Sequence, residues 1–422
     1  MIMRKYLFYI LLFALCLGCK SVDPDVEVLI NEQHDDVIKL PEYGNVIATM
    51  YSYILEEIVI DGVAYFNYSK DLGSNWKLVE NTIGDITHAH IFSDGTFLLC
   101  GRRKAYTTKD FDSFTESVIY DIDGKVLTEL PRDGFYAVGH HDVYNVIDGH
   151  ELEIWGEYIL ERENNPCVWY TIDKGATIRC AFKFGVSEIG GKVINCRHVH
   201  KVTYCRKDGS IYVTTGDAYS AGEDHVLRGT INVHSLEWDW AQIADGRMFK
   251  FGIVYFDDQF MYIITDYTEK ALSDKKGILY IPINMVQDIN NDIEKFKYVW
   301  RLPEDEEKTH TGLSMAPFDI LIDGNGNKIL FGDSYSYGYI WISRKGYEFK
   351  RYRLNNRKMY VGLNIIGPNF NGDVYIQSFG DGVTYTDENL KLNRGRSYNL
   401  TKIMRENIDE DFMKVIDTKY NF

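Results

Sequence analysis

The chemistry-bearing residues of this chain concentrate in three short stretches: Gly156-Glu157-Tyr158, Arg197-His198-Val199-His200 and Thr214-Thr215-Gly216-Asp217. His198 and His200 stand two apart, so on a strand both rings project from one side, about 7 Å apart along the chain. Imidazole there could serve as a general acid or base near neutral pH, or ligate a metal through a neutral ring nitrogen. Glu157 and Asp217 could instead form the carboxylate pair of a glycosidase, whose separation would set inversion or retention. With Tyr158 beside them, these five residues are the catalytic candidates: His198, His200, Glu157, Asp217 and Tyr158. Each also has a plainer role. Strand histidines commonly hydrogen-bond a neighbouring strand, and an aspartate after glycine is a common turn former.

The same chemistry recurs along the chain. His88 and His90 repeat the His-x-His spacing, His140 and His141 stand side by side, and His310 precedes another apolar stretch. His140 and His141 would point to opposite sides of a strand, so only one of them could face a shared site. Arg102 and Arg103, Asp266-Tyr267 and Asp333 end other apolar runs. The arginines could clamp a carboxylate or sulfate with paired hydrogen bonds, or neutralise acidic neighbours. The substrate-binding candidates are therefore Arg102, Arg103, His88, His90, His141, Asp266, Tyr267 and His310. The His/Asp set could hold a divalent metal of unspecified identity. No cofactor is identified, and no Gly-rich phosphate loop lies between a strand and a helix.

These groups need a scaffold that brings them to one place. Apolar runs recur every 8–12 residues between Gly, Asn and Asp, the pattern of an all-β sandwich or propeller. Ile86 to Phe92, Thr96 to Gly101, Ala105 to Thr108 and Ser117 to Tyr120 form one unit of four strands. Similar units fall near 40–81, 136–182, 198–243, 249–301, 316–354 and 360–398, which predicts an all-β propeller of about seven four-stranded antiparallel blades. In such blades the start of the first strand and the end of the second lie at one end. All the candidates above would then surround the mouth of a central channel. A short helix is expected only near 402–416.

A second repeat reinforces the parse. Ser69-Lys70-Asp71-Leu72-Gly73-Ser74-Asn75-Trp76 has the form Ser/Thr-x-Asp-x-Gly-x-x-Trp. Thr171-Ile172-Asp173-Lys174-Gly175 repeats it with Ile178 in the aromatic slot, Thr108 to Phe114 is a degraded copy, and Ser343 to Phe349 is a weaker one. The motif resembles the Asp-box of the sialidase (BNR) superfamily, and over roughly 85–400 the chain resembles bacterial sialidase-like Asp-box lipoproteins. The resemblance implies a propeller and a glycan context, and it carries no catalytic set. Sialidases use three arginines, a Tyr/Glu pair and an acid aspartate after an early Arg-Ile-Pro. Here the nearest text is Leu40-Pro41-Glu42, so sialidase activity itself is not expected.

The N-terminal residues set an expected compartment. Arg4 and Lys5 precede an apolar run from Tyr6 to Leu17, shorter than the roughly 20 residues of a membrane span and of secretory-signal length. Gly18-Cys19 resembles a bacterial lipobox, with Cys19 as the lipidated N-terminus and an acidic tether behind it. The expected organisation is a signal peptide at 1–18, a tether at 19–37, a propeller at 38–401 and a tail at 402–422. The expected location is lipid-anchored in the outer membrane, at the cell surface or on the periplasmic side. The net charge of -16 speaks against nucleic acid or an anionic membrane surface as partner, leaving the lipid as the sole membrane contact. Of 7 cysteines, five lie beyond the signal and lipid positions. An odd number makes no complete disulfide framework, although Cys167 and Cys180 flank one hairpin and could pair.

The function expected from these features is action on a polysaccharide or oligosaccharide at the channel mouth. As a glycoside hydrolase the protein would use Glu157 and Asp217. As a uronic-acid lyase it would use His198 or His200 as base, Tyr158 or Tyr267 as partner, and Arg102 as carboxylate clamp. The alternative is a non-catalytic glycan-binding lipoprotein of a polysaccharide uptake system; a purely structural or protein-binding propeller is the third class.

Overall fold

The structure is a computed structural model describing residues 26–28, 44–130, 135, 143–159, 165–216, 222–267, 275 and 277–301. Beyond these it describes residues 371 and 373 and the strands 316–322, 328–334, 337–343, 350–353, 360–366, 375–379 and 396–399. Cys19, His141, Asp217 and His310 lie outside the described residues, as does the expected helix near 402–416.

A short strand β1 (Val26–Val28) precedes the first sheet, which runs β2 (Asn45–Met50), β3 (Tyr53–Ile60), β4 (Val63–Ser69), β5 (Lys77–Glu80). The second runs β6 (Ile86–Ile91), β7 (Phe97–Gly101), β8 (Ala105–Thr108), β9 (Thr115–Glu116). Two strands, β10 (Val118–Tyr120) and β11 (Val126–Leu127), then join the edge of the third sheet, β12 (Val143–Ile147), β13 (His150–Gly156), β14 (Cys167–Thr171), β15 (Thr177–Lys183). After a hairpin of β16 (Glu188–Ile189) and β17 (Lys192–Val193) comes the fourth: β18 (His198–Cys205), β19 (Ser210–Gly216), β20 (His225–Asn232), β21 (Glu237–Asp245). The fifth is β22 (Phe251–Phe256), β23 (Phe260–Thr265), β24 (Gly277–Pro282), β25 (Lys297–Arg301). β26 (Ala316–Ile322), β27 (Lys328–Ser334), β28 (Tyr337–Ser343) and β29 (Lys350–Arg353) follow, with β1 parallel to β29. Last come β30 (Tyr360–Ile366), β31 (Tyr375–Phe379) and β32 (Arg396–Asn399).

Innermost strands pack on one another in chain order, β18 on β22, β22 on β26 and β26 on β30, and β30 returns to β2. At that closure the Val46 amide donates to Ser397 Oγ (2.9 Å), and Val46 and Ile54 share a core with Ile366 and Tyr375. Successive antiparallel sheets whose last member packs on the first make a β-propeller.

The apolar faces of the strands fill the spaces between sheets. Leu55, Phe66, Phe97 and Leu99 lie between the first and second, and Leu152, Ile154, Val199 and Val213 between the third and fourth. All eight are fully buried, each worth roughly 1.5–3 kcal/mol relative to exposure.

One strand assignment needs correcting. Val118–Tyr120 does not complete the second unit; Thr115–Glu116 does. The chain instead crosses to the third sheet, where β10 lies parallel to β15 and the Val118 amide donates to Ala176 O (3.0 Å). That crossing buries Ile119 between the sheets and covers the edge of β15.

The Ser/Thr-x-Asp turns join the third and fourth strands of their sheets. Ser69 Oγ accepts the Gly73 amide (2.8 Å) while Asp71 Oδ1 accepts the Asn75 amide (2.8 Å). Thr171 and Asp173 repeat this with Gly175 (3.0 Å) and Thr177 (2.8 Å). Leu72, Lys174 and Phe111 all take φ near +60° at the equivalent position, so the degraded copy at Thr108 keeps the turn geometry without the glycine. The antiparallel order puts these turns at the end of the sheets opposite the starts of β2, β6 and β12. Cys100, Cys167, Cys180, Cys196 and Cys205 are free thiols. Cys167 lies beside Cys180, whose hydrogen bond, together with burial, holds the Cys167 thiol well above its ordinary range.

Candidate functional site

The innermost strand of a sheet pairs with the second through a recurring irregularity near its start. Register shifts between Val46 and Ala48, Ile86 and His88, Val199 and Lys201, Phe251 and Ile253, and Pro317 and Asp319. Each shift is a β-bulge with one residue unpaired, which re-aims that side chain. In β18 the bulged residue is His200.

The bulge brings the two imidazoles together. Their Nε2 atoms lie 3.2 Å apart, with ring centroids at 5.0 Å. His198 Nδ1 is 3.2 Å from the Ile159 carbonyl oxygen and His200 Nδ1 is 3.0 Å from that of Phe251. The Tyr158 ring stacks on His198 at 3.9 Å with an 18° tilt. Asp266 Oδ2 lies 3.8 Å from His200 Nε2 and 3.4 Å from Lys250 Nζ. His198 is fully buried, and His200, Asp266 and Lys250 are nearly so. The pair of Nε2 atoms, with Asp266 nearby, is what this cluster offers a metal. Among the described residues no three His, Cys, Asp or Glu side chains converge into a complete metal cage.

Gly216 pairs with His198 and makes the cluster sterically possible. A methyl group on Gly216 would overlap the His200 ring, at Cε1 and both nitrogens. Gly216, noticed in the sequence only as the residue before Asp217, is thus a seat for an imidazole. Gly216→Ala is expected to displace the His200 ring and cost about 1–3 kcal/mol of stability. Loss of the His200 Nδ1 hydrogen-bonded proton signal in NMR, with the fold retained, would verify it. An unshifted His200 spectrum would count against it.

The remaining candidates are distributed over several settings. Glu157 is buried, with Oε2 accepting the Cys167 amide (2.7 Å) and Oε1 accepting Trp169 Nε1–H (2.7 Å). Tyr267 is buried and its hydroxyl donates to the Met248 carbonyl (2.6 Å), bracing the segment that carries Lys250. Arg102 and Arg103 are partly exposed and pair with Asp85 (3.1 Å) and Glu129 (3.6 Å), contacts of small energetic weight. Asp333 lies on β27 opposite Ala316. His88 Nε2 and His90 Nδ1 flank the Glu153 carboxyl group at 3.2 and 3.1 Å, between the second and third sheets. His88 also stacks on Trp155 at 4.5 Å. The structure thus gathers Tyr158, His198, His200 and Asp266 into one cluster and places His88 and His90 in another.

Three participants were not singled out from sequence. Glu153 stands in the alternating run Glu151-Leu152-Glu153-Ile154-Trp155, where an acid inside a strongly apolar strand was the available signal. Lys250 directly precedes an innermost strand and is buried, with no sequence mark of that burial. Gly216 was visible, but its reason was not.

A scan against protein-family models gives no match, and a search of curated proteins gives none either. Among solved structures, virginiamycin B lyase from Staphylococcus aureus is similar at 11% identity, covering 79% of this chain and 90% of that one, with a TM-score of 0.46. YCF48 bound to D1 peptide is similar at 11% identity over 81% of this chain and 91% of that one, TM-score 0.45. A structure described as a putative gluconolactonase is similar at 8% identity over 85% and 93%, TM-score 0.35. At these identities and TM-scores the likeness carries no argument about this chain, and what it does must be read from its own residues.

Proposed function

We propose that this chain is an exported, outer-membrane lipoprotein whose propeller mouth cleaves an acidic polysaccharide by β-elimination. Three features support the setting: the Arg4–Leu17 leader with Cys19, the acidic charge, and the Asp-box form of the Ser69 and Thr171 turns. The observation that carries the reading is the convergence of His198, His200, Tyr158, Asp266 and Lys250 where the innermost strands begin. Hydrolysis would need Glu157 as a working carboxylate, and both its oxygens are already engaged by Cys167 and Trp169.

In the elimination, a base removes the proton on the carbon α to the uronate carboxylate. That electron pair forms a carbon–carbon double bond, the bond to the leaving sugar oxygen breaks, and that oxygen takes up a proton. An imidazole of the His198/His200 pair is the base, with the Tyr158 phenol as the partner acid. The burial of His198 favours a second reading, in which the imidazoles only shape the mouth and the protein binds glycans beside an uptake system.

Mass spectrometry of products from a panel of neutral, uronic and sulfated polysaccharides separates these readings. Fragments lacking the added water of hydrolysis are the expected result. Fragments carrying that water would reject elimination, and binding with no fragments would establish the second reading.

A further inference from the structure

We infer that His198 and His200 form a binding site for a zinc-class divalent cation, with Asp266 as the neighbouring carboxylate. This goes beyond the glycan reading and does not depend on it.

The inference starts from hydrogen positions. A backbone carbonyl oxygen only accepts hydrogen bonds, so the Nδ1 atoms facing Ile159 O and Phe251 O each carry a hydrogen. In the neutral ring that leaves Nε2 as a lone pair. The two Nε2 atoms face each other at 3.2 Å, so two lone pairs converge on one space. Such a contact is repulsive until a positive centre lies between them.

Three features favour a metal as that centre. Zinc–imidazole bonds of 2.0–2.1 Å at a tetrahedral angle put two ligand nitrogens about 3.3 Å apart, close to the separation found. An Nδ1–H donated to a backbone carbonyl is the usual outer support of a metal-binding histidine, and here both rings have it. Asp266 Oδ2, at 3.8 Å from His200 Nε2, lies about half an ångström beyond that tetrahedral edge. Two imidazoles with a carboxylate suit Zn²⁺ and related ions over Mg²⁺ or Ca²⁺, which prefer oxygen ligands. Lys250 Nζ, 3.4 Å from the same carboxylate oxygen, holds Asp266 in place and competes with the cation for its charge.

The test is titration of the full-length, chelator-washed protein with Co²⁺ and Zn²⁺, by calorimetry and by the visible absorption of bound Co²⁺. The expected result is one equivalent per chain with a low-coordinate Co²⁺ spectrum, and a melting temperature raised by Zn²⁺. His198→Ala and His200→Ala should each weaken binding about 100-fold or more, Asp266→Asn about 10-fold, while His225→Ala leaves it unchanged. Lys250→Met should tighten binding several-fold, and this variant keeps the test decisive if removal of a histidine unfolds the protein. Absence of a stoichiometric site in the wild-type protein overturns the inference, leaving a shared proton between the rings. Binding that survives in folded His200→Ala, or that Lys250→Met does not tighten, overturns it equally.

Discussion

Glu153→Ala is expected to lower the free energy of unfolding by about 3–5 kcal/mol, the cost of breaking a buried ionisable cluster by removing one member. Glu153 is fully buried, and the rings of His88 and His90 flank its carboxyl group from the neighbouring sheet. Removing the carboxyl leaves two imidazoles oriented on a vacated space in an apolar wall that includes Trp155 and Phe92. Urea-denaturation midpoints give the measurement. A companion variant replacing His88, His90 and Glu153 together with apolar residues of similar volume should recover most of the loss, because no buried polar group is then stranded. A Glu153→Ala protein within about 1 kcal/mol of wild type would mean that the cluster does not hold these sheets together.

The second large effect depends on pH. Glu56 is buried in the first sheet, and burial pushes its carboxyl group from an ordinary 4.5 up to about 7, against the opposing hydrogen bonds of Asn67 and the Gly44 amide. The folded state therefore holds this proton more tightly than the unfolded chain does. Stability contributed by Glu56 falls as pH rises from about 4.5 to about 7, and the deficit stays constant above that. A shift of this size corresponds to up to about 3 kcal/mol. Glu56→Gln removes the titration while keeping the shape. It should be more stable than wild type by up to that amount at pH 8, and nearly equal to it below pH 4.5. A Gln–Glu stability difference that is the same at both pH values would show that Glu56 does not titrate in the window its burial implies.

Both predictions rest on charged residues inside strands, and they show where sequence reasoning stops. Glu56 and Glu153 sit in runs whose alternation already marks them as strand, yet alternation does not reveal which sheet lies opposite. His88 and His90 were legible as a pair on one side of a strand. That their partner is an acid on the next sheet follows from the packing of β6 against β13, which no local pattern carries.

The sequence by itself determined the strands and the turns between them. Alternating apolar residues have one face to bury, and the Ser/Thr-x-Asp turns close through hydrogen bonds within five residues, so both are local facts. The boundaries read for the sheets near 198–243 and 249–301 fall within two residues of β18 to β21 and β22 to β25. Tertiary structure decided everything that depends on two strands meeting. It moved Val118–Tyr120 onto the third sheet to bury Ile119. It tied Glu157 to Cys167 and Trp169, and it brought Lys250 to Asp266. Above all it placed a bulge at His200 over Gly216, which turns two rings expected about 7 Å apart along a regular strand into nitrogens 3.2 Å apart. A bulge is a mismatch of register between two strands, and register is a property of the pair.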